Sequence, residues 1–274
     1  MNPVASLAIT STRSPRVVAA RRLATRAFRA KQRLFLAEGP QAVREAISYA
    51  SVTELYTGQA AAERYSDLLA EAAALGATVL VTTDEVVASL SDTVQPQGMV
   101  AVCHFLDQPL DRVLEPAPRL IALLAEIRDP GNVGSVIRAA DAAGADAVIV
   151  GGESVDVYNP KAVRASAGSL FHLPVTVGVP VETAVEQAKA AGLRVLAADG
   201  IGALDLDDEL DSGALAAPTC WLFGNEARGL TPQLRAAADA VVRVPIHGKA
   251  ESLNLSTAAA VCLYASARAQ RSAR

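Results

Sequence analysis

The spacing of hydrophobic positions changes repeatedly along this chain, and the changes outline its elements. RLFLAEG (33–39), VTELYTG (52–58), ATVLVTT (77–83) and MVAVCHF (99–105) are short apolar runs bounded by glycine or polar residues, the pattern of strands. Between them PQAVREAISYA (40–50), the Ala- and Leu-rich run 60–75 and DEVVASLSD (84–92) repeat at helical intervals. Pro40 suits a first helical turn, and Asp84 reads as an N-cap. Alternation over so short a stretch predicts a small α/β domain. Residues 107–118 hold Pro109, Pro116 and Pro118 and read as a linker. Beyond it RLIALLAEI (119–127) is apolar on both faces, as in a buried parallel sheet. Further strands are predicted at 145–152, 173–178, 192–199, 219–224 and 240–246, with helices at 133–143, 160–170, 181–191, 231–239 and 255–270.

Composition narrows the class. The chain has 274 residues, 51% hydrophobic and 20% charged, which excludes a disordered polymer. Its net charge of -4 argues against a general polyanion binder. Cys103, Cys220 and Cys262 lie far apart with no C-x-x-C, which excludes a disulfide framework and a structural zinc site and fits a reducing compartment. The longest uncharged stretch, 165–181, contains Pro174, Pro180 and His172, so no membrane span is expected. The charge is unevenly distributed. Residues 1–33 carry Arg13, Arg16, Arg21, Arg22, Arg26, Arg29, Lys31 and Arg33 and no acid. This segment reads as helical from Pro15, with Val17, Leu23, Ala27 and Phe28 as apolar contacts. Three readings fit it: a mitochondrial presequence, a solvated helix face, or an arm that grips phosphate.

Familiar nucleotide motifs are missing. DGIGALD (199–205) lacks the third glycine of a dinucleotide fingerprint, and His247-Gly248-Lys249 lacks the spaced glycine of a P-loop. His104, His172 and His247 stand in unrelated contexts and read as structural. What remains is polar, glycine-rich sequence directly after buried strands, where open α/β sheets bind ligands. Three segments qualify. In EIRDPGNVGSVIRAADAAG (126–144) Asn132 reads as a helix cap and Arg138 as lying near the N-terminal end, four residues after Gly134; pairing of Arg138 with Asp141 is its ordinary alternative. In LFGNEARGLTPQL (222–234) Gly224 ends a strand, Glu226 follows, and Thr231 and Pro232 open a helix. In VPIHGKAESLNLSTAAAVC (244–262) Ser252, Asn254 and Ser256 cluster at a helix start, more polar residues than capping needs.

These segments, in this order, resemble the three signature motifs of the SpoU (TrmH-like) RNA ribose methyltransferases of the SPOUT superfamily. NPKAVRASAGSLFHLPV (159–175) resembles the family too, and ITSTRSPRVVAARRL (9–23) resembles the leading segment of one branch, with Ser14 where Asn is usual and Val18 where Lys is common. The resemblance implies an α/β chain of two domains. Residues 1–108 would form an RNA substrate-binding domain, with a fold like a kink-turn-binding ribosomal protein and a basic N-terminal arm. Residues 115–274 would form a trefoil-knotted methyltransferase domain that dimerises. It implies methyl transfer from S-adenosylmethionine to a ribose 2′-hydroxyl, with 23S ribosomal RNA as the expected substrate; transfer RNA and a non-catalytic RNA-binding role are the alternatives. Carried over by motif, Arg138, Asn132, Glu226, Ser252 and Asn254 match the catalytic positions. Gly224, Val244, Ile246, Leu253 and Leu222 match the cofactor positions, and no metal is implied. A cytoplasmic enzyme is expected, with the mitochondrial matrix as the alternative.

Overall fold

The computed structural model describes residues 8–272, so residues 1–7 of the expected leading domain and the last two residues lie outside it. The chain divides into two compact units. One comprises Met1–Leu106 with Tyr158–Phe171, the other Asp107–Val157 with His172–Arg274.

The first unit opens with α1 (Pro15–Arg22) and α2 (Arg26–Gln32), followed by β1 (Leu34–Glu38), α3 (Pro40–Tyr49) and β2 (Val52–Gly58). It continues with α4 (Gln59–Arg64), α5 (Ser66–Ala74), β3 (Thr78–Thr82), α6 (Asp84–Leu90) and β4 (Met99–His104). The strands form one mixed sheet in the order β1-β4-β2-β3, in which only β2 and β3 run parallel. The single leading helix expected from Pro15 is two helices. The break has a cause in Arg29, which is 2% exposed and donates from Nη1 to the carbonyls of Leu23 (2.7 Å) and Ala24 (2.8 Å), where α1 ends. Val17, Ala20 and Leu23 are buried in this unit's core, so the basic segment is part of the fold. Several of its cations are engaged: Arg16 with Glu54 at 3.1 Å, Arg22 over the Phe28 ring and Arg33 over the Phe105 ring. Asp84 is not the cap of α6; Thr83 is, accepting from the backbone N–H of Val86.

The second unit begins with α7 (Leu110–Leu114), inside the expected linker and flanked by Pro109. Then come β5 (Leu120–Ala125), α8 (Pro130–Ala143) and β6 (Ala147–Gly151). α9 (Pro160–Ala165) and a 3-10 turn at Ser169–Phe171 belong to the first unit. The chain returns with β7 (Val175–Val177), α10 (Val181–Ala190), β8 (Arg194–Ala198), β9 (Leu204–Asp205) and α11 (Leu206–Asp211). It ends with β10 (Thr219–Phe223), α12 (Pro232–Ala237), β11 (Ala240–Arg243) and α13 (Leu255–Ser272). The seven strands are parallel, in the order β7-β6-β5-β10-β8-β11-β9. β5, β6 and β10 are buried along their whole length, which explains their unbroken apolar sequence. The chain leaves β5 toward β6 and β7 on one side, while β10 occupies the other. The strand order therefore reverses between β5 and β10, the switch point beyond whose carboxyl ends open α/β sheets form their binding crevice.

Candidate active site

The crevice is built by the two loops that leave β5 and β10. After β5 the chain turns at Glu126, whose φ is +56°, a left-handed value uncommon outside glycine. Asn225, just after β10, donates from Nδ2 to the Glu126 carbonyl at 2.7 Å and accepts the N–H groups of Ala227 and Arg228. One amide thus ties the two loops and shapes the second. Glu226 continues the tie, Oε2 accepting from the backbone N–H of Arg128 and Oε1 from that of Asp129, both at 3.2 Å.

α8 starts with Pro130 at its first position, where a missing N–H costs nothing. Its cap is Asp129, whose carboxylate accepts from the N–H groups of Gly131 (2.6 Å) and Asn132 (3.1 Å). Asn132 is therefore not the cap expected from the sequence. Relieved of that task, its side chain donates from Nδ2 to Glu226 Oε1 at 3.1 Å and accepts at Oδ1 from Asn254 Nδ2 at 3.1 Å. Asn254 in turn accepts from the N–H and hydroxyl of Ser256. A chain of directed bonds, Ser256 to Asn254 to Asn132 to Glu226, joins the three sequence segments. Burial opposes charge on Glu226, but hydrogen bonds from its own backbone, Asn132, Arg128 and Asp129 prevail and hold its carboxyl below the ordinary range.

The other expected residues fall outside this chain of bonds. Arg138 lies past the middle of α8 rather than near its start, is exposed, and its side chain makes no hydrogen bond or ion pair among the described residues. Asp141, its ordinary alternative partner, instead meets His172 Nδ1 at 2.8 Å. Ser252 is exposed and likewise has no partner among the described residues.

Of the expected cofactor residues, Leu222 is fully buried, with Leu123 and Ala197 beside it on the neighbouring strands. Its side chain belongs to the core and lines no surface, as its position inside β10 requires. Gly224 is required by its own loop: an added Cβ would lie 2.4 Å from the Gly229 carbonyl carbon and 2.6 Å from the Leu230 nitrogen. β11 stops at Arg243, so Val244 and Ile246 lie beyond the strand predicted to hold them. Ile246 and Leu253 are each 38% exposed. Among the described residues no backbone group of residues 246–253 is hydrogen-bonded. Apolar side chains beside free main-chain donors and acceptors are what a purine nucleoside requires.

Sequence reasoning did not select Asn225, and it picked out Ser256 only as a member of the polar cluster with Ser252 and Asn254. Asn225 was legible as an Asx turn after a strand-ending glycine, whereas the polar cluster around Ser252 offered no way to tell which member faces which.

A parallel sheet with polar, cross-bonded loops at its switch point places the chain in the class of open α/β proteins, in which ligands bind beyond the carboxyl edge. The SpoU rRNA Methylase family model matches residues 119–264, and the MRM3-like substrate binding domain matches residues 14–101. The chain is 31% identical over 256 residues to the 23S rRNA (guanosine(2553)-2'-O)-methyltransferase RlmP of Bacillus subtilis, covering 93% of this chain and 97% of that one. It is 41% identical over 184 residues to a 23S rRNA (uridine(2479)-2'-O)-methyltransferase of Streptomyces viridochromogenes, covering 65% and 63%. Among solved structures, an AdoMet-bound rRNA methyltransferase from Sinorhizobium meliloti superposes with a TM-score of 0.84 at 31% identity, covering 94% of this chain and 96% of that one. The chain belongs to the SpoU rRNA methylase family.

Proposed function

We propose that this protein transfers a methyl group from S-adenosylmethionine to a ribose 2′-hydroxyl of 23S ribosomal RNA. The observation that carries the proposal is the bonded series Asn254, Asn132 and Glu226, which unites the three motif segments at the switch point of the sheet. Bound S-adenosylmethionine supplies a methyl group on a sulfonium, a leaving group that needs no acid. The demand therefore falls on the nucleophile, a hydroxyl barely acidic at neutral pH, which must be oriented and stabilised as it loses its proton. Arg138 stabilises the developing alkoxide, and because a protonated guanidinium has no free site for a proton, a phosphate of the substrate accepts it. Asn132, Asn254 and Glu226 hold one another's rotamers and orient the ribose, and Ser252 adds a hydroxyl beside them. Gly224, Val244, Ile246 and Leu253 hold the adenosyl group, with free main-chain groups and the two exposed apolar side chains in support.

Further proposals follow from the resemblance. Residues 1–108 read the RNA through a kink-turn-binding type of fold, and residues 115–274 form the methyltransferase. The C-terminal segment is threaded as a trefoil knot. The protein is a homodimer through its C-terminal domain, in keeping with exposed Val261 and Tyr264 on α13. It works in the bacterial cytoplasm, where its three buried, free cysteines stay reduced.

The proposal is tested by mapping 2′-O-methyl groups in RNA from cells with and without the gene. Loss of one site in 23S RNA is expected. Loss confined to transfer RNA, or no loss at all, would overturn it.

A further inference from the structure

Resting on that reading of the substrate, we infer that the catalytic unit grips the RNA backbone itself, through Arg128, Arg228 and Lys249, which take the phosphodiesters flanking the reacting ribose. The basis is a division among this unit's cations. Off the three loops most are engaged: Lys189 with Asp239 at 2.7 Å, Arg194 with Glu209 at 2.7 Å, Arg235 with Asp199 at 3.2 Å and Arg243 with Asp205 at 3.2 Å. The side chains of Arg128, Arg228 and Lys249 are exposed and have no hydrogen-bond or ion-pair partner among the described residues. Each sits on a different one of the three loops, and those loops are held together by the bonds of Glu226 and Asn254. Away from the loops, Arg138 on α8 and Arg268 on α13 share this state.

The acids nearby leave these cations free. Asp129 and Glu226 turn their carboxylates onto backbone N–H groups, at 2.6–3.2 Å. Glu126 leans over Gly152, on the β6 side, where an added Cβ on that glycine would lie 3.2 Å from its Cγ. Glu251 is the remaining exposed acid of the third loop. Within an RNA chain every internal ribose carries a phosphodiester on each side. A ribose at Asn132 therefore brings anions to loops whose unpaired side chains suit them, two of them guanidiniums with the fork geometry that matches phosphate.

The test is a salt series with the full-length protein and an unmodified 23S RNA transcript. Wild type should show a steep fall of log K with log salt. The double variant Arg128→Ala/Arg228→Ala should bind more weakly, with a slope shallower by roughly 0.7–0.9 per lost contact. Lys249→Ala should remove about one contact's worth. The double variant Arg128→Lys/Arg228→Lys should restore the slope. S-adenosylmethionine affinity, read by calorimetry, should be unchanged in all of them. An unchanged slope in the alanine variants would overturn the clamp. So would a loss of S-adenosylmethionine affinity equal to the loss of RNA affinity, which would assign these cations to the cofactor's carboxylate. Wild-type protein that does not bind the transcript would remove the substrate reading and the clamp together.

Discussion

The two ends of the seven-stranded sheet are built with the same kind of bond and serve different ends. At the amino edge, Asp146 accepts from the N–H groups of Arg119 and Leu120, and Asp239 from that of Val195. Buried Gln270 donates to the carbonyls of Arg119 and Ala217. Each side chain satisfies backbone at a strand start, and Asp239 also neutralises Lys189. At the carboxyl edge, Asn225 and Glu226 bind backbone in the same manner, but Asn132 and Asn254 add bonds between side chains of separate loops. Bonds between side chains are the minority class in folded proteins. Here they fix rotamers that remain open to solvent, with unpaired cations around them. Side chains that cap strand starts, with their charges paired off, mark a well-made edge. Exposed, mutually oriented amides among free charges mark a site.

Substitutions can separate the two edges. The largest effect is expected at Arg138, where Ala should slow methyl transfer about 100- to 1000-fold, the size of losing one donor to a developing oxyanion. Cofactor binding and thermal midpoint should hold, and a fully active variant would remove its role. Gly224→Val should cost roughly 1–3 kcal/mol of stability, because the branched side chain meets the Gly229–Leu230 backbone, and should disturb cofactor binding through that loop. Denaturant unfolding with calorimetry reads both. A stable variant with normal affinity would mean that the loop yields freely.

Gln270→Leu and Asn132→Ala form the sharper pair. The first removes one of two donors at each of two carbonyls, since Arg119 keeps the Thr219 N–H and Ala217 the Thr219 hydroxyl, and should cost roughly 0.5–1.5 kcal/mol of stability with transfer rate intact. The second should cost less than about 1 kcal/mol of stability and more than tenfold in rate. The smallest effect is a pH dependence at Asp239. Burial opposes its charge, but Lys189 and the Val195 N–H hold its carboxyl below the ordinary range. A group lowered on folding contributes stability above its unfolded pKa and loses it as pH falls through the folded value. The stability gap between wild type and Asp239→Asn should therefore be widest near neutrality and close in acid, as urea titrations across pH would show.

Much of this architecture was legible because the central strands are buried on both faces. β5 and β10 read directly as apolar runs closing on polar loops, and those loops are the site. Less was legible where local chemistry decides. α7 hides behind Pro109, which reads as linker until it is seen to flank a helix. α11, LDDELD, buries only Leu206, so no periodicity betrays it. Arg29 counted toward a phosphate-gripping arm, yet it closes the end of α1. The contacts that stop a helix there come from six residues along the chain. Asn132 looked like a cap because a cap is what an asparagine before a helical run usually supplies. Asp129 with Pro130 starts the helix one turn sooner, and that shift gives Asn132 its place between Glu226 and Asn254.

The most direct test of the central claim is label transfer from S-adenosylmethionine to an RNA fragment carrying the mapped target nucleotide, compared with the same fragment made 2′-deoxy at that one position. Wild-type protein should label the first at a single ribose and leave the second unlabelled, and Asn132→Ala should label the first at least tenfold more slowly. Label on the 2′-deoxy fragment, or label recovered on a base, would contradict ribose 2′-O-methylation at this crevice.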